Sequence, residues 1–321
     1  VSEVAVWINN YGNAKHIAKA IESVLNQSYK DFTLYIFDNH SLDGADQIAL
    51  NYVESNPGKV VFVAMPQGLA GIPAMKFGWE YISSLPVDYS ITLGGHDYWP
   101  NSEHLATLVS RLDNERKAGN KPALVYTHTA QVNEDDQFVG QYANYLQSAG
   151  NMPLPFVPQW IISGIDCTPL FGLWNEEIRR QVPVRHMCAG WDHMVVAHAA
   201  VKGSILFDPR PLLVMRAPVP GSNMTEYGRK HFSPAALQCK ERDFLNQIEW
   251  LNTMIEEATD AVEAPGLHTM LLTTSMFAMY CCLRGYNLSV FPGGVEAFNY
   301  RAQDALTLCI EAAKAIKELT R

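Results

Sequence analysis

Residues 4–38 read VAVWINNYGNAKHIAKAIESVLNQSYKDFTLYIFD, and the change of period inside this stretch decides the fold. Val4 to Ile8 and Leu34 to Phe37 are short apolar runs of buried-strand length. Between them Ile17, Ala20, Ile21, Val24 and Leu25 recur at helical spacing, with Asn13 as a candidate cap ahead of the helix. A helix between two buried strands is the crossover that parallel neighbours require.

The same unit repeats outward. Val60 to Ala64, Tyr89 to Leu93 and Ala123 to Tyr126 read as further buried strands, and Ala45 to Glu54, Ala74 to Ile82 and His104 to Glu115 as helices. A repeat of about 30 residues is that of a β-α unit, so the first 128 residues are predicted to form a mostly parallel α/β sheet flanked by helices. Periodicity fades from Thr129 to Trp160, where Pro153, Pro155 and Pro158 interleave with Phe156 and Trp160 in a stretch too long for a simple connection. Ile161 to Ser163, a helix over Asp192 to Val201 and the run Leu212 to Met215 are predicted to complete the sheet. From Ser233 the pattern is helical, with Leu237, Phe244, Ile248, Leu251 and Ile255 on one stripe and Ala305 to Leu319 on another. The expected division is a sheet domain over residues 1–230 and a helical C-terminal subdomain over 231–321, whose stripes suit a homodimer interface or packing on the sheet.

Composition narrows the function classes. Hydrophobic residues make up 48% and charged residues 18%, which is globular usage. A net charge of -9 and no clustered Lys or Arg leave no footprint for a polyanion, so nucleic acid is not expected as a partner. The six cysteines lack paired spacing and read as reduced, buried thiols. The longest apolar run, Met270 to Leu283, is broken by Thr273, Thr274 and Ser275 and falls short of the ~20 residues of a bilayer span. No transmembrane span or secretory leader is recognised, and a location in the cytoplasm or peripheral to a membrane is expected.

Ligands of open α/β sheets bind beyond the carboxyl ends of the strands. Those ends are polar here: Asn9, Asn10, Tyr11 and Gly12 after the first strand, Asp38, Asn39, His40, Ser41 and Asp43 after the second, and Gly94, Gly95, His96 and Asp97 after the fourth. From the residues alone, Asp38, Asn39, Asp43 and Gly44 serve either a ligand or a turn that caps the next helix. GxGxxG and GxxxxGK[ST] are both absent, which disfavours a dinucleotide or P-loop enzyme.

Taken in order, these segments resemble the family-2 type of GT-A glycosyltransferases across roughly positions 3 to 225. Ile8 to Asn13 stands where that family has its strand-end P-T-Y-N segment, and Glu22-Ser23-Val24-Leu25-Asn26-Gln27-Ser28-Tyr29-Lys30-Asp31-Phe32 is similar to its ESVLNQTYxDF. Phe37-Asp38-Asn39-His40-Ser41-Leu42-Asp43-Gly44 resembles V-D-D/N-x-S-x-D-G, and Gln67 to Gly71 resembles the N-x-G loop. Leu93 to Trp99 lies where the family has L-D-x-D-D-Y-W, Gly190-Trp191-Asp192 where it has G-E-D, and Leu212 to Arg216 is similar to P-L-V-x-Y-R. The resemblance implies a Rossmann-like GT-A sheet. It also implies an inverting transfer of a sugar from a nucleotide donor, UDP above others, to a hydroxyl of a glycan, lipid-linked or protein acceptor in cell-surface polysaccharide or glycoconjugate synthesis.

The residues it assigns are Asn10, Tyr11, Asp38, His40, Gly68 and Asp97 for the nucleotide sugar, Asp192 for the base, and Trp191 and Arg216 for the acceptor. Asp192 serves equally as a helix cap, Trp191 as packing and Arg216 as a surface ion pair. A leaving diphosphate calls for positive charge, but Gly94 and His96 replace two carboxylates of the family's metal motif. A divalent cation held through His96 would then be Mn²⁺ rather than Mg²⁺, since imidazole suits the softer ion. Alternatively His96 meets phosphate or backbone directly, and Asp97 caps the helix after Pro100. The competing reading is a nucleotide-sugar or glycan-binding module without turnover.

Overall fold

The computed structural model describes residues 2–66, 69, 72–141, 168–184, 191–217 and 253. The chain opens as β1 (Val4–Asn10), α1 (Ile17–Leu25), β2 (Phe32–Asp38), α2 (Ala45–Ser55), β3 (Val60–Ala64), α3 (Ile72–Ser83), β4 (Tyr89–Gly94), α4 (His104–Lys117) and β5 (Pro122–Val132). A hairpin strand, β6 (Phe138–Gln141), follows, and later a 3-10 turn over Thr168–Phe171, β7 (Leu173–Asn175), α5 (Glu176–Arg179), α6 (Trp191–Lys202) and β8 (Ser204–Arg216). Among the described residues, no helix is long and apolar enough to cross a membrane.

The strands form one mixed, mostly parallel sheet in the order β3-β2-β1-β4-β7-β5-β6, with β8 along the other edge of β5. Alternation along β1 explains the layers. Val4, Val6 and Ile8 pack with α1, α2 and α4, whereas Ala5 and Trp7 turn to the opposite face with Trp79 of α3 and Val195 of α6. The order in which strands are added reverses between β3 and β4. A right-handed crossover running the other way across the sheet must lie on the opposite face, and α3 therefore sits away from α1 and α2. The reversal leaves β1 and β4 as parallel neighbours, Val4↔Tyr89 through Asn9↔Gly94, and opens a crevice beyond their carboxyl ends.

The predicted strands and helices of the first 128 residues are present, but three features differ. β5 runs on to Val132 and turns into β6, because Leu212 to Arg216 of β8 pair with His128 to Val132. The polar residues there carry no apolar alternation, and the partner strand supplies the order. β7 and α5 replace featureless chain at the sheet centre, where a fully buried Arg179–Glu176 pair at 2.9 Å sits with its guanidinium 3.9 Å from the Trp79 ring. Asn13 does not cap α1 with its side chain; its carbonyl accepts the N–H groups of His16 and Ile17, each at 2.9 Å. Ile161 to Ser163, the proline-aromatic stretch, the Met270 to Leu283 run and, apart from Thr253, the C-terminal subdomain lie outside the described residues.

One buried group links fold to pH. His104 opens α4, stacks on Trp99 at 4.6 Å and is 1% exposed, with no protein partner at Nδ1. Burial pushes its pKa from 6.5 down to about 3, partly opposed by a hydrogen bond to the backbone of Leu212. The unfolded chain takes up this proton first. The stability is complete above pH 6.5 and is lost as pH falls toward 3, by up to about 1.4 kcal/mol per pH unit. In thermal scans through that window, His104→Phe is expected to show a shallower fall in Tm than the wild type; parallel slopes would contradict this origin.

Candidate functional site

The site is built on the residues that end β1, β2 and β4. At its floor Asp38, 3% exposed, is held by three donors. Asn10 Nδ2 and Ser41 Oγ donate to its Oδ1 at 2.7 and 2.6 Å, and the Ser41 N–H donates to Oδ2 at 2.9 Å. Ser41 Oγ also accepts from the Gly12 N–H at 3.1 Å. A buried carboxylate is stable only when its lone pairs are satisfied, and here the donors come from the loops that must be brought together.

The surrounding turns follow the same logic. Asp43 accepts the Ala14 N–H at 2.8 Å and the Ala45 N–H at 3.2 Å, so it ties the first loop to the start of α2. Gly44 precedes that helix at φ 90, a left-handed conformation suited to glycine. Asn39 donates to the Leu69 carbonyl at 2.5 Å, and the ring of His40 hydrogen-bonds the Met65 carbonyl at 2.7 Å. The two readings of this segment therefore divide: Asp43 and Gly44 make the turn, while Asp38 is bonded to Asn10 of the neighbouring strand.

Beyond β4 the chain passes close over β1. The Gly95 N–H donates to the Asn9 carbonyl at 2.9 Å, and a Cβ on Gly95 would lie 2.6 Å from Asn10 Oδ1. A Cβ on Gly94 would lie 2.5 Å from Asp97 Oδ2, so the carboxylate of Asp97 fills the space a side chain at 94 would take. Asp97 is 2% exposed and its Oδ1 accepts the Arg216 N–H at 2.9 Å. Burial raises its pKa, opposed by the neighbouring His96 and by backbone N–H groups. It does not cap α4, which starts at His104 next to Glu103. The His96 side chain is 43% exposed, with Nε2 3.5 Å from Asp97 Oδ1. Among the described residues no three His, Cys, Asp or Glu side chains gather as a metal cage.

The expected site residues thus separate by position. Asn10 and Asp38 are joined, His96 and Asp97 stand at the next strand end, and Tyr11 is exposed at the rim, 53% accessible. Asp192 lies half-buried in the first turn of α6, and Trp191 beside it meets the Trp79 ring edge-on at 6.4 Å, a packing contact. Gly68 lies outside the described residues. Arg216, expected at the acceptor, is enclosed: its side chain is 3% exposed and its donors go to Asn133, Asp136 and His96. Asn39, Ser41 and Asp43, which the sequence puts at the end of the second strand, act here as supports of the site, whereas Asp136 carries no sequence signal of its place beside Arg216.

Residues 5–150 match the Glycosyl transferase family 2 profile. That match covers less than half of the chain. Within it, 114 residues are 30% identical to uncharacterized glycosyltransferases of Rickettsia typhi and Rickettsia prowazekii, a match over 35% of this chain and 33% of each relative. The chain therefore aligns with about a third of the length of the curated relatives it matches. In fold, the chain is similar to S. aureus TarS 1-349 in complex with UDP-GlcNAc, with a TM-score of 0.63 at 15% identity over 97% of this chain and 81% of the TarS 1-349 chain. GalNAc-T7 with UDP, GalNAc and Mn²⁺ is similar at a TM-score of 0.51 and 12% identity, over 69% of this chain and 45% of its own.

The glycine at 95 gives the first site prediction. Gly95→Ala drives a methyl into the held Asn10 amide and is expected to lower unfolding stability by about 1–3 kcal/mol, read from the urea midpoint. An unchanged midpoint would contradict the close approach.

Proposed function

We propose that this chain is a glycosyltransferase of family 2, inverting and nucleotide-sugar-dependent, with UDP as the donor nucleotide. The observation that carries this reading is the convergence of the Asn10–Asp38–Ser41 cluster and the exposed His96 at the crevice between β1 and β4. A carboxylate offers about four acceptor positions, and three at Asp38 are taken by the protein, which leaves about one for an N–H of a nucleobase. The exposed Tyr11 offers a ring at the same rim. TarS has been crystallised with UDP and UDP-GlcNAc, which supports uridine over other nucleosides.

In this reading Asp192 takes the proton of the acceptor hydroxyl. The oxygen forms its bond to the anomeric carbon as the bond from that carbon to the diphosphate breaks, on the opposite face of the sugar, so configuration inverts in one displacement. His96 faces the departing diphosphate. With Asp97 turned inward, the donor set is one open imidazole beside one engaged carboxylate, which fits a cation that brings phosphate oxygens with it rather than a closed protein cage. A divalent cation, when bound, supplies charge that neutralises the leaving group, and an imidazole ligand favours Mn²⁺ over Mg²⁺. GalNAc-T7 with Mn²⁺ supports a cation on this fold. The acceptor on this reading is a hydroxyl of a cell-surface polysaccharide or glycoconjugate, as the family resemblance implies.

A second reading, a nucleotide-sugar-binding module without turnover, draws on the glycine at 94 and the inward Asp97. Calorimetry with UDP, and hydrolysis of UDP-sugars with and without Mn²⁺, separate the two. The transferase reading predicts UDP binding strengthened by Mn²⁺ and weakened at least tenfold in His96→Ala and Asp38→Ala. It also predicts donor turnover that Asp192→Asn slows by roughly 10²–10⁴ without loss of UDP binding. Binding without turnover favours the module, and no nucleotide binding at all contradicts both.

A further inference from the structure

Arg216 ends β8 with its side chain enclosed in the protein, and it meets the His96–Asp97 segment from behind the crevice. Its backbone N–H holds Asp97 Oδ1 at 2.9 Å, and its Nε points to the His96 carbonyl at 3.4 Å. The guanidinium then crosses to the β5–β6 turn, with Nη1 on the Asn133 carbonyl at 2.5 Å and Nη2 on Asp136 Oδ1 at 2.7 Å.

The turn it grips is itself fixed. Asn133 Oδ1 accepts the N–H groups of Asp135 and Gln137 at 3.0 and 2.9 Å. Asp136 also accepts Lys19 Nζ of α1 at 2.7 Å, and that ammonium lies 3.7 Å over the ring of Tyr98. Glu134 is bound by Lys15 at 3.1 Å and His16 at 2.9 Å. Tyr98, two residues after His96, exchanges both backbone hydrogen bonds with Val214 at 3.0 Å. The segment His96-Asp97-Tyr98 is thus held on one side by β8 and, through Arg216, by a turn moored to α1.

We propose that Arg216 and Asp136 form a positioning clasp that sets where His96 faces the donor, acting through the backbone and Asp97 without touching ligand. The proposal rests on the nucleotide-sugar reading of the site only for what His96 meets. Two features separate it from general stabilisation. The guanidinium's donors are aimed at loop carbonyls and one carboxylate, a fork geometry that an ammonium does not reproduce. Asp136 has φ 60, a conformation that asparagine tolerates, so Asp136→Asn removes the charge and leaves the turn's backbone preference intact.

The test uses the full chain with Asp136→Asn, Arg216→Lys and, as a control at an exposed position of the same turn, Asp135→Asn. UDP affinity is measured by calorimetry in Mn²⁺, and the accessibility of His96 by mass spectrometry of its carbethoxylation in the ligand-free protein. The clasp predicts about a tenfold loss of UDP affinity and a several-fold change in His96 modification for the first two variants, with Tm close to wild type in Asp136→Asn and no change in Asp135→Asn. Unaltered His96 modification and affinity in Asp136→Asn would overturn it. If wild-type protein binds no UDP, the reading of the site fails, while His96 modification still decides the clasp. If Arg216→Lys does not fold, Asp136→Asn decides alone.

Discussion

A carboxylate shut away from water at the end of β2 constrains everything around it. Asp38 lies in the sheet's parallel core, where an unpaired charge would cost several kcal/mol, and its donors come from the loops after β1 and β2. The two loops are consequently fastened to one another, and Asp43 and Asn39 extend the fastening to α2 and to the loop after β3. The reversal of strand order beside this corner leaves it open to a ligand.

The end of β4 depends on the same corner. Gly95 passes within contact of Asn10, and Gly94 gives up its side-chain space to the carboxylate of Asp97. Asp97 in turn points inward onto the Arg216 N–H. What stays exposed is His96, and the chemistry left to the loop is that of an imidazole on a tightly held backbone. Charge there is arranged in series: Lys19 to Asp136, Asp136 to Arg216, Arg216 to the His96 carbonyl. The Lys19 and Arg216 contacts hold the Asp136 carboxyl below the usual carboxylate range despite partial burial, so the series is charged at neutral pH.

The alternation of apolar runs and helical stripes made the β-α core readable, since each period reports directly which face is covered. Asn10, Asp38 and His96 were legible for a related reason: polar residues directly after buried strands stand at the carboxyl edge. What could not be read was any feature set by a distant partner. β5 beyond Thr129 is a strand because β8 lies beside it, and the hairpin turn bearing Asp136 looks like an ordinary acidic loop until α1 and Arg216 are placed against it. Arg216 itself sits in a motif that suggested ligand contact, and only the fold reveals that its guanidinium is spent on the protein.

The most direct measurement of the central claim is a crystal structure of the full chain with UDP and Mn²⁺. The account predicts uridine between the Asn10–Tyr11 segment and Asp38, with the diphosphate beside His96. Uridine bound away from Asp38, or a diphosphate that leaves His96 untouched, would contradict it.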